Sequence, residues 1–131
     1  MSKGQFRFAY FTRDYEATVA FYRGGLEFPV IESWDRSPDD RGTLFSAASG
    51  IIEVLAFPRS GGSSHLWDDR PPQGVFMVIE VEDLEGRYQR AVEKGFIIKQ
   101  GLTLQDWGHK SFCVSGPDGL THYFFREVTG R

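Results

Sequence analysis

The chain has 131 residues, of which 40% are hydrophobic and 25% charged, values typical of one ordinary globular domain. Its formal net charge is -3, with 15 basic and 18 acidic residues spread along the chain, so it lacks the basic stripe that nucleic-acid binding normally needs. No apolar run could span a bilayer and the amino-terminal stretch lacks the apolar segment of a secretory signal, so we expect a soluble, cytoplasmic protein without membrane or nucleic-acid partners.

Two features of the composition narrow the chemistry further. The single cysteine, Cys113, excludes an internal disulfide and a cysteine-rich zinc site, and its surroundings predict a strand in which a small buried thiol is common. Twelve Phe, five Tyr and three Trp exceed what one modest core needs. We therefore expect some aromatic side chains to line a pocket for an apolar or planar ligand.

The first half of the chain predicts a strand, a helix and three more strands. "QFRFAYF" alternates as a strand does, and Tyr15, Val19 and Tyr22 then recur at helical spacing. Asp14 can cap that helix, and the glycines of "RGGL" can end it. The three strand candidates that follow are "EFPVIESW", "GTLFSAA" and "IIEVLAF".

The same order of elements returns after a segment rich in Pro, Gly and Ser, which we interpret as a linker. "GVFMVIEV" predicts a strand and "EDLEGRYQRAVEKG" a helix with an acidic cap, Asp83. Three further strand candidates are "FIIKQGL", "GHKSFCVS" and "LTHYFFREV". Asp14 corresponds to Asp83 and Gly25 to Gly95, so an offset of about 70 residues relates the halves.

This repeat predicts an α+β fold of two tandem βαβββ modules within a single domain, residues 1–131. The predicted boundaries are 5–57 for module 1, 58–73 for the linker and 74–128 for module 2. If each helix covers one face of a small curved mixed sheet, the opposite faces are free to form a cup.

Two stretches resemble a known family. "TRDYEATVAFYRGGLEF" is similar to the helix signature of the vicinal oxygen chelate superfamily, in which an acidic residue opens a helix that closes with a Phe-Tyr pair and a Gly-Leu turn. "SGPDGLTHYFFRE" resembles the ending of its second half. The resemblance extends from about Phe6 to Glu127 and implies the glyoxalase/bleomycin resistance fold. It leaves the activity open, because the superfamily includes glyoxalases, extradiol dioxygenases, fosfomycin-modifying enzymes and metal-free proteins that sequester bleomycin-type antibiotics.

The resemblance also implies where a metal ion would be held. Metal-dependent members typically supply His from the first strand of each half and Glu, or sometimes His, from the last strand of each half. Alignment places Arg7 and Phe76 at the His positions and Glu53 and Tyr123 at the others, and of these Glu53 alone suits a divalent ion. A register shift of one residue would exchange Tyr123 for His122 but brings no His to either first strand. We therefore predict no metal and no cofactor.

Glu53 lies in "GIIEVLAF" with apolar residues on both sides, where an isolated carboxylate would be costly. The fold implied by the resemblance sets the first and last strands of each half side by side, so Arg7 and Glu53 are expected to be cross-strand neighbours that form an ion pair facing the cup. Removing one partner would cost about 3–5 kcal/mol if the pair is fully buried, and much less if it is wet.

Strand alternation predicts which residues line the cup and which pack under the helices. The predicted lining comprises Ala9, Phe11, Leu55, Phe57, Phe76, Val78, Glu80, Tyr123 and Phe125. The residues predicted to pack under the helices include Phe6, Phe8, Tyr10, Val54, Met77, Ile79 and Phe124. Trp34, Trp67 and Trp107 lie at strand ends or in loops, where they could close over a ligand. The predicted ligand-binding residues are Arg7, Phe11, Glu53, Leu55, Phe57, Phe76, Val78, Trp107, Tyr123 and Phe125.

The three histidines carry a weaker signal. His65 falls in the linker, His109 begins a strand and His122 alternates with Tyr123, so each is interpreted first as a solvated or singly hydrogen-bonded side chain. His65 and His109 are close to loops that edge the predicted cup, so either could contact a ligand. No Ser, His and carboxylate set has a spacing that suggests a hydrolase triad.

Three functions remain open. The favoured one is a homodimeric small-molecule binding protein, similar to the metal-free bleomycin-resistance members, that sequesters a planar or amphipathic organic ligand in its aromatic cup. The alternative is a glyoxalase- or dioxygenase-like enzyme, a lyase or isomerase with altered or absent metal ligands, in which Glu53 is the general base. In the third, side chains fill the cup and only dimerisation matters.

Overall fold

Each half of the chain forms its own four-stranded sheet, against which its helical segment packs. The structure is a computed structural model that describes residues 4–57 and 72–128, and it divides the chain into two units, Met1–Pro72 and Gln73–Arg131. Most of the predicted linker, residues 58–71, lies outside the described residues, as do His65 and Trp67. Within the described ranges, no helix is long and apolar enough to cross a membrane.

The elements of the two units follow the same order. The first unit contains β1 (Arg7–Thr12), α1 (Tyr15–Ala20), a π-helical turn (Phe21–Gly25), β2 (Val30–Ser37), β3 (Asp40–Ala47) and β4 (Gly50–Ala56). The second unit contains β5 (Phe76–Glu80), α2 (Leu84–Glu93), β6 (Ile97–Leu104), β7 (His109–Ser115) and β8 (Thr121–Glu127).

The strand order is β1-β4-β3-β2 in the first sheet and β5-β8-β7-β6 in the second. The first strand of each unit pairs in parallel with the last, and all other pairs are antiparallel. This is an α+β fold with two βαβββ modules, so the predicted fold class is confirmed.

Both helices begin at the predicted acidic caps. The carboxylate of Asp14 accepts a hydrogen bond from the Ala17 amide at 3.1 Å, and Asp83 accepts one from Gly86 at 3.1 Å. Each bond satisfies a backbone donor that the first helical turn leaves unpaired. Gly95, with φ of 76°, follows α2 at the predicted stop, where a residue with a side chain would be strained.

The first core lies between its sheet and its helical segment. The hydroxyl groups of Tyr10 and Tyr22 are hydrogen bonded at 2.8 Å, and the Tyr22 ring packs against Phe45 with centroids 5.4 Å apart. Thr12 and Thr18 join β1 to α1 by a buried hydrogen bond of 2.9 Å. These paired hydroxyl groups allow polar side chains to be buried without the cost of an unsatisfied group.

The second core has the same position in its own unit. Tyr88 of α2 packs edge-on against Phe112 of β7, and Phe112 stacks on Phe124 of β8, with centroids 5.2 Å apart in each pair. The buried residues of this unit include Met77, Ile79, Leu84, Ala91, Phe112, Val114, Leu120, His122 and Phe124. The helix-facing side of each sheet therefore supplies most of the core.

The prediction of which side chains pack under the helices is correct except for the residue that precedes the first strand. Tyr10, Val54, Met77, Ile79 and Phe124 are buried as expected. Phe8 is half-buried beside Tyr10, with ring centroids 5.9 Å apart. Phe6 was predicted to pack under the helices, and that prediction is wrong, since it is 75% exposed. The reason is that β1 begins at Arg7, so Phe6 precedes the sheet.

Candidate functional site

Each sheet has one face that points away from its helix, here called its open face. Residues that are paired across neighbouring strands have side chains on the same face, so the strand pairing shows which side chains belong to each open face. The first open face includes Arg7, Ala9, Phe11, Ile51, Glu53 and Leu55. The second open face includes Phe76, Val78, Glu80, His109, Ser111, Cys113, Thr121, Tyr123, Phe125 and Glu127.

The predicted ion pair is present on the first open face. Nη1 of Arg7 donates to Oε1 of Glu53 at 3.2 Å, and Nε of Arg7 donates to Oε1 of Gln5 at 2.6 Å. The pair is diagonal, since Glu53 lies directly opposite Ala9 and Arg7 lies opposite Ile51. The Arg7 and Glu53 side chains are 40% and 18% exposed, so water weakens their attraction.

This exposure sets the expected strength of the pair. In a double-mutant cycle of Arg7→Met, Glu53→Gln and the double variant, we expect a coupling free energy of about 1 kcal/mol or less, measured by denaturant unfolding. The exposed pair Arg36–Asp40, at 2.8 Å, provides a control cycle with Arg36→Met and Asp40→Asn, and its coupling should be no larger. A coupling above about 3 kcal/mol would show that Arg7–Glu53 behaves as a buried pair.

The four positions that the resemblance assigns to metal ligands do not fit a metal ion. Arg7 is a cation bound to Glu53, Phe76 has no donor atom, and a neutral Tyr123 is a poor ligand for a hard divalent ion. In the described ranges 4–57 and 72–128, no group of three or more His, Cys, Asp or Glu side chains is arranged to hold a metal. The donor set therefore offers one carboxylate where a metal-dependent member would offer several ligands.

An aromatic cluster occupies one end of the second open face. This His109 cluster consists of Trp107, His109, Tyr123, Phe125 and Glu127. The His109 ring stacks on Phe125 with centroids 3.9 Å apart and an interplanar angle of 15°. Nε1 of Trp107 and the hydroxyl oxygen of Tyr123 each lie 3.2 Å from Nδ1 of His109, and Oε2 of Glu127 lies 3.5 Å from its Nε2.

These contacts specify the tautomer of His109. An indole N–H can only donate, so Nδ1 of His109 is the acceptor and carries no proton. The proton of the neutral ring is then on Nε2, facing the carboxylate of Glu127. Stacking, hydrogen bonding and the carboxylate together fix the orientation of the ring, and through it the orientation of the Trp107 indole.

A tight turn between β6 and β7 places Trp107. The Gly108 amide donates to the Gln105 carbonyl at 3.2 Å, and the Gln105 amide donates to the His109 carbonyl at 2.7 Å. Gly108 has φ of 88°, a conformation that favours glycine. The turn leaves Trp107 55% exposed while its N–H is held by His109, so an exposed indole is presented in a defined orientation.

The opposite, helix-facing side of the same strand ends carries an ionic cluster. Glu85 of α2 contacts Nη2 of Arg126 at 2.7 Å and Nζ of Lys110 at 3.2 Å. The hydrogen bond from Arg126, aided by the Glu85 backbone and Lys110, lowers the pKa of Glu85 to about 2. Glu85 is therefore ionised at neutral pH and forms ion pairs with both basic side chains.

A pocket of about 180 Å³ lies in the first unit, where β1 and β4 end and α1 begins. It is lined by Thr12, Arg13, Asp14, Tyr15, Glu16, Pro38, Arg41, Ala56 and Phe57. Arg41 is already paired with Glu16 at 2.5 Å and lies over the Tyr15 ring, with its guanidinium carbon 4.5 Å from the ring centroid. Arg13 covers the Phe57 ring at 4.0 Å, so of the predicted binding residues Phe57 belongs to this pocket.

The predicted ligand-binding residues thus fall into three groups. Arg7, Phe11, Glu53 and Leu55 share the first open face; Phe76, Val78, Tyr123 and Phe125 share the second, with Trp107 beside them; and Phe57 lines the pocket. Trp34, predicted to close over a ligand, instead lies across Gly42, its opposite residue in the sheet, where a Cβ would be 2.6 Å from the indole Cε2. The sequence pointed to His109 only as a residue near the cup edge and did not select it or Glu127, although the alternation of Glu127 with Tyr123 and Phe125 was a usable signal.

Comparison with known proteins supports the same architecture. The family model described as Glyoxalase/Bleomycin resistance protein/Dioxygenase superfamily matches residues 4–123. Among curated protein sequences, none matches the chain.

Solved structures resemble the whole chain. TioX from Micromonospora sp. ML1 is 17% identical, with a TM-score of 0.76 over 95% of this chain and 99% of that one. A glyoxalase/bleomycin resistance protein/dioxygenase superfamily member from Sphaerobacter thermophilus DSM 20745 is 20% identical, with a TM-score of 0.74 over 96% and 98%. A protein from Agrobacterium tumefaciens str. C58 is also 20% identical, with a TM-score of 0.74 over 98% of both chains. At these identities the likenesses show the fold alone.

Proposed function

The chain belongs to the glyoxalase/bleomycin resistance protein/dioxygenase superfamily, and we propose that it is a member that binds a planar or amphipathic organic ligand without a metal ion. The observation that carries this proposal is the His109 cluster, in which an exposed indole is held in a fixed orientation on the second open face. Its action is sequestration, in which the ligand is held and no bond changes.

The second open face has the properties of a stacking site. Besides Trp107, it exposes Phe76 at 59% and Val78 at 55%, so apolar surface is available to a planar ligand. Aromatic rings bury a large area with few rotatable bonds, and their contribution grows when their orientation is set before binding. Tyr123 and Glu127 supply the few polar groups that such a site needs to orient its ligand.

The residues at the metal positions support a metal-free site. Arg7 forms an ion pair with the Glu53 carboxylate, and Phe76 has no atom that can bind a metal ion. Ligand recognition therefore relies on stacking, hydrogen bonding and charge. Homodimer formation, expected from the resemblance, remains a prediction that light scattering of the purified protein tests.

Ligand binding should depend on Trp107 and His109. We expect a thermal-shift screen of planar organic compounds to find ligands that stabilise the wild-type protein by about 2.7 kcal/mol at 100 times Kd. Trp107→Leu should weaken a ligand found in this way at least about tenfold in calorimetry, since a stacking partner is lost, and His109→Leu should weaken it less. Val92→Ala, which truncates a half-exposed apolar side chain on α2, serves as the control and should leave affinity unchanged.

Other outcomes would favour the other two functions. Stoichiometric metal after incubation with iron, zinc, nickel or manganese, with turnover of a 2-oxoaldehyde thiol adduct or a catechol, would replace this proposal by the enzyme function. Loss of that turnover in Glu53→Gln would then assign the general base. The absence of any thermal shift across the screen would instead favour a purely structural role.

A further inference from the structure

Charged side chains at the His109 end of the second sheet are divided by sign between its two faces. Lys110 of β7 and Arg126 of β8 are opposite one another and point to the helix side, where both bind Glu85. The next residue of each strand points the other way, and there His109 is opposite Glu127. The two basic side chains of these strand ends thus contact Glu85 of α2, and the open face carries the Glu127 carboxylate beside His109.

A second carboxylate lies nearby on the same face. Glu80 ends β5 directly opposite Phe125 and is exposed, and the Glu127 side chain is 52% exposed. Lys99, which donates to Thr121 at 2.7 Å, is at the other end of β8, roughly 20 Å of strand away from Glu127. Among the residues that the structure describes on this face, two carboxylates therefore lie at the aromatic end.

The hydrogen bond of Trp107 decides how its ring meets a ligand. Its N–H is donated to His109, so the indole offers a ligand its ring face. That face carries the negative part of the ring quadrupole and attracts cations, and tryptophan does so more strongly than any other side chain. Exposed carboxylates on the same face add to this attraction.

We propose that the ligand of the second open face is a planar organic cation, bound over Trp107 with its positive charge near Glu80 and Glu127. This proposal rests on the proposed binding function and adds the charge of the ligand. A site of this kind prefers a charged ring, whereas a purely apolar stacking surface would prefer an uncharged ring of the same shape.

Two probes of nearly equal shape isolate the charge. 1-Methylquinolinium is a permanent cation, and 4-methylquinoline is uncharged at pH 8. Each is titrated into ¹⁵N-labelled full-length protein while the indole N–H signal of Trp107, assigned with Trp107→Leu, is followed by NMR. We expect 1-methylquinolinium to bind with a Kd about tenfold lower than that of 4-methylquinoline.

The carboxylates provide the matched variants. Glu80→Gln and Glu127→Gln should each weaken 1-methylquinolinium about threefold or more and leave 4-methylquinoline unchanged. Glu85→Gln makes the same change of charge on the helix-facing side of the sheet and should alter neither probe.

Each contrary result has a distinct meaning. Equal affinity for the two probes, or an equal effect of Glu85→Gln and Glu127→Gln, would overturn the cation assignment and leave the binding function standing. A Trp107 signal that responds to neither probe at millimolar concentration would overturn the cation assignment, and the thermal-shift screen then decides separately whether the binding function also fails.

Discussion

Replacing Phe45 with alanine is expected to lower the free energy of unfolding by about 3–5 kcal/mol. Phe45 lies on β3, is 0% exposed and packs against the Tyr22 ring. The substitution removes the transfer free energy of a buried ring and leaves a cavity that Tyr22, held by its hydrogen bond to Tyr10, is poorly placed to fill. Denaturant unfolding monitored by circular dichroism measures the loss.

Phe6→Ala is the matched control, because it deletes the same ring from a residue that is 75% exposed. Its expected effect is within about 0.5 kcal/mol. If Phe6→Ala and Phe45→Ala destabilised the protein equally, Phe6 would belong under the helix, as the sequence predicted, and the position of β1 relative to it would be incorrect.

The fold could be predicted from the sequence because the local patterns are strong and occur twice. Alternation distinguishes Met77 and Ile79, which are buried, from Phe76 and Val78, which are exposed, and a one-residue error would have exchanged them. The acidic caps Asp14 and Asp83 mark both helix starts. Phe6 fits the alternation equally well, and its failure arises from the end of the sheet, which alternation does not encode.

The Arg7–Glu53 pair shows how much of the candidate site could be predicted from the sequence. The identity of the partners was correct, since an acid within a strand of apolar residues needs a cation and the adjacent strand contains one. The strength was left open, because exposure depends on how much water reaches the face. The diagonal register and the 40% exposure of Arg7 then indicate a weak pair.

The His109 cluster could not be assembled from the sequence. It depends on the exact pairing of β7 with β8 and on the turn that brings Trp107 back onto Nδ1 of His109. Each residue alone is ordinary, and its significance comes from the distances. The same pairing sends Lys110 and Arg126 to the helix side, so the charge of the open face also follows from register.

His122, on the buried side of the same strand, is expected to make stability strongly dependent on pH. It is 0% exposed, and its Nδ1 is 3.0 Å from the Leu120 carbonyl, to which it donates. Burial lowers the pKa of His122 to about 4 from 6.5, opposed in part by hydrogen bonds to the backbone of Leu120 and Val114. In the unfolded chain the imidazole has its ordinary pKa, so the unfolded state takes up the proton first as the pH falls.

This site therefore leaves the free energy of unfolding at its full value above about pH 6.5. As the pH falls to about 4, protonation of the unfolded chain lowers that free energy by about 3 kcal/mol in total, and below this pH the site has no further effect. In His122→Asn, whose amide can still donate to the Leu120 carbonyl but does not titrate, this part of the pH dependence should disappear. The carboxylates titrate in both proteins, so the difference between their unfolding free energies from pH 7 to pH 4 isolates His122. Parallel curves would contradict the assignment, as would an NMR titration of the His122 ring in the folded protein with a midpoint near 6.5.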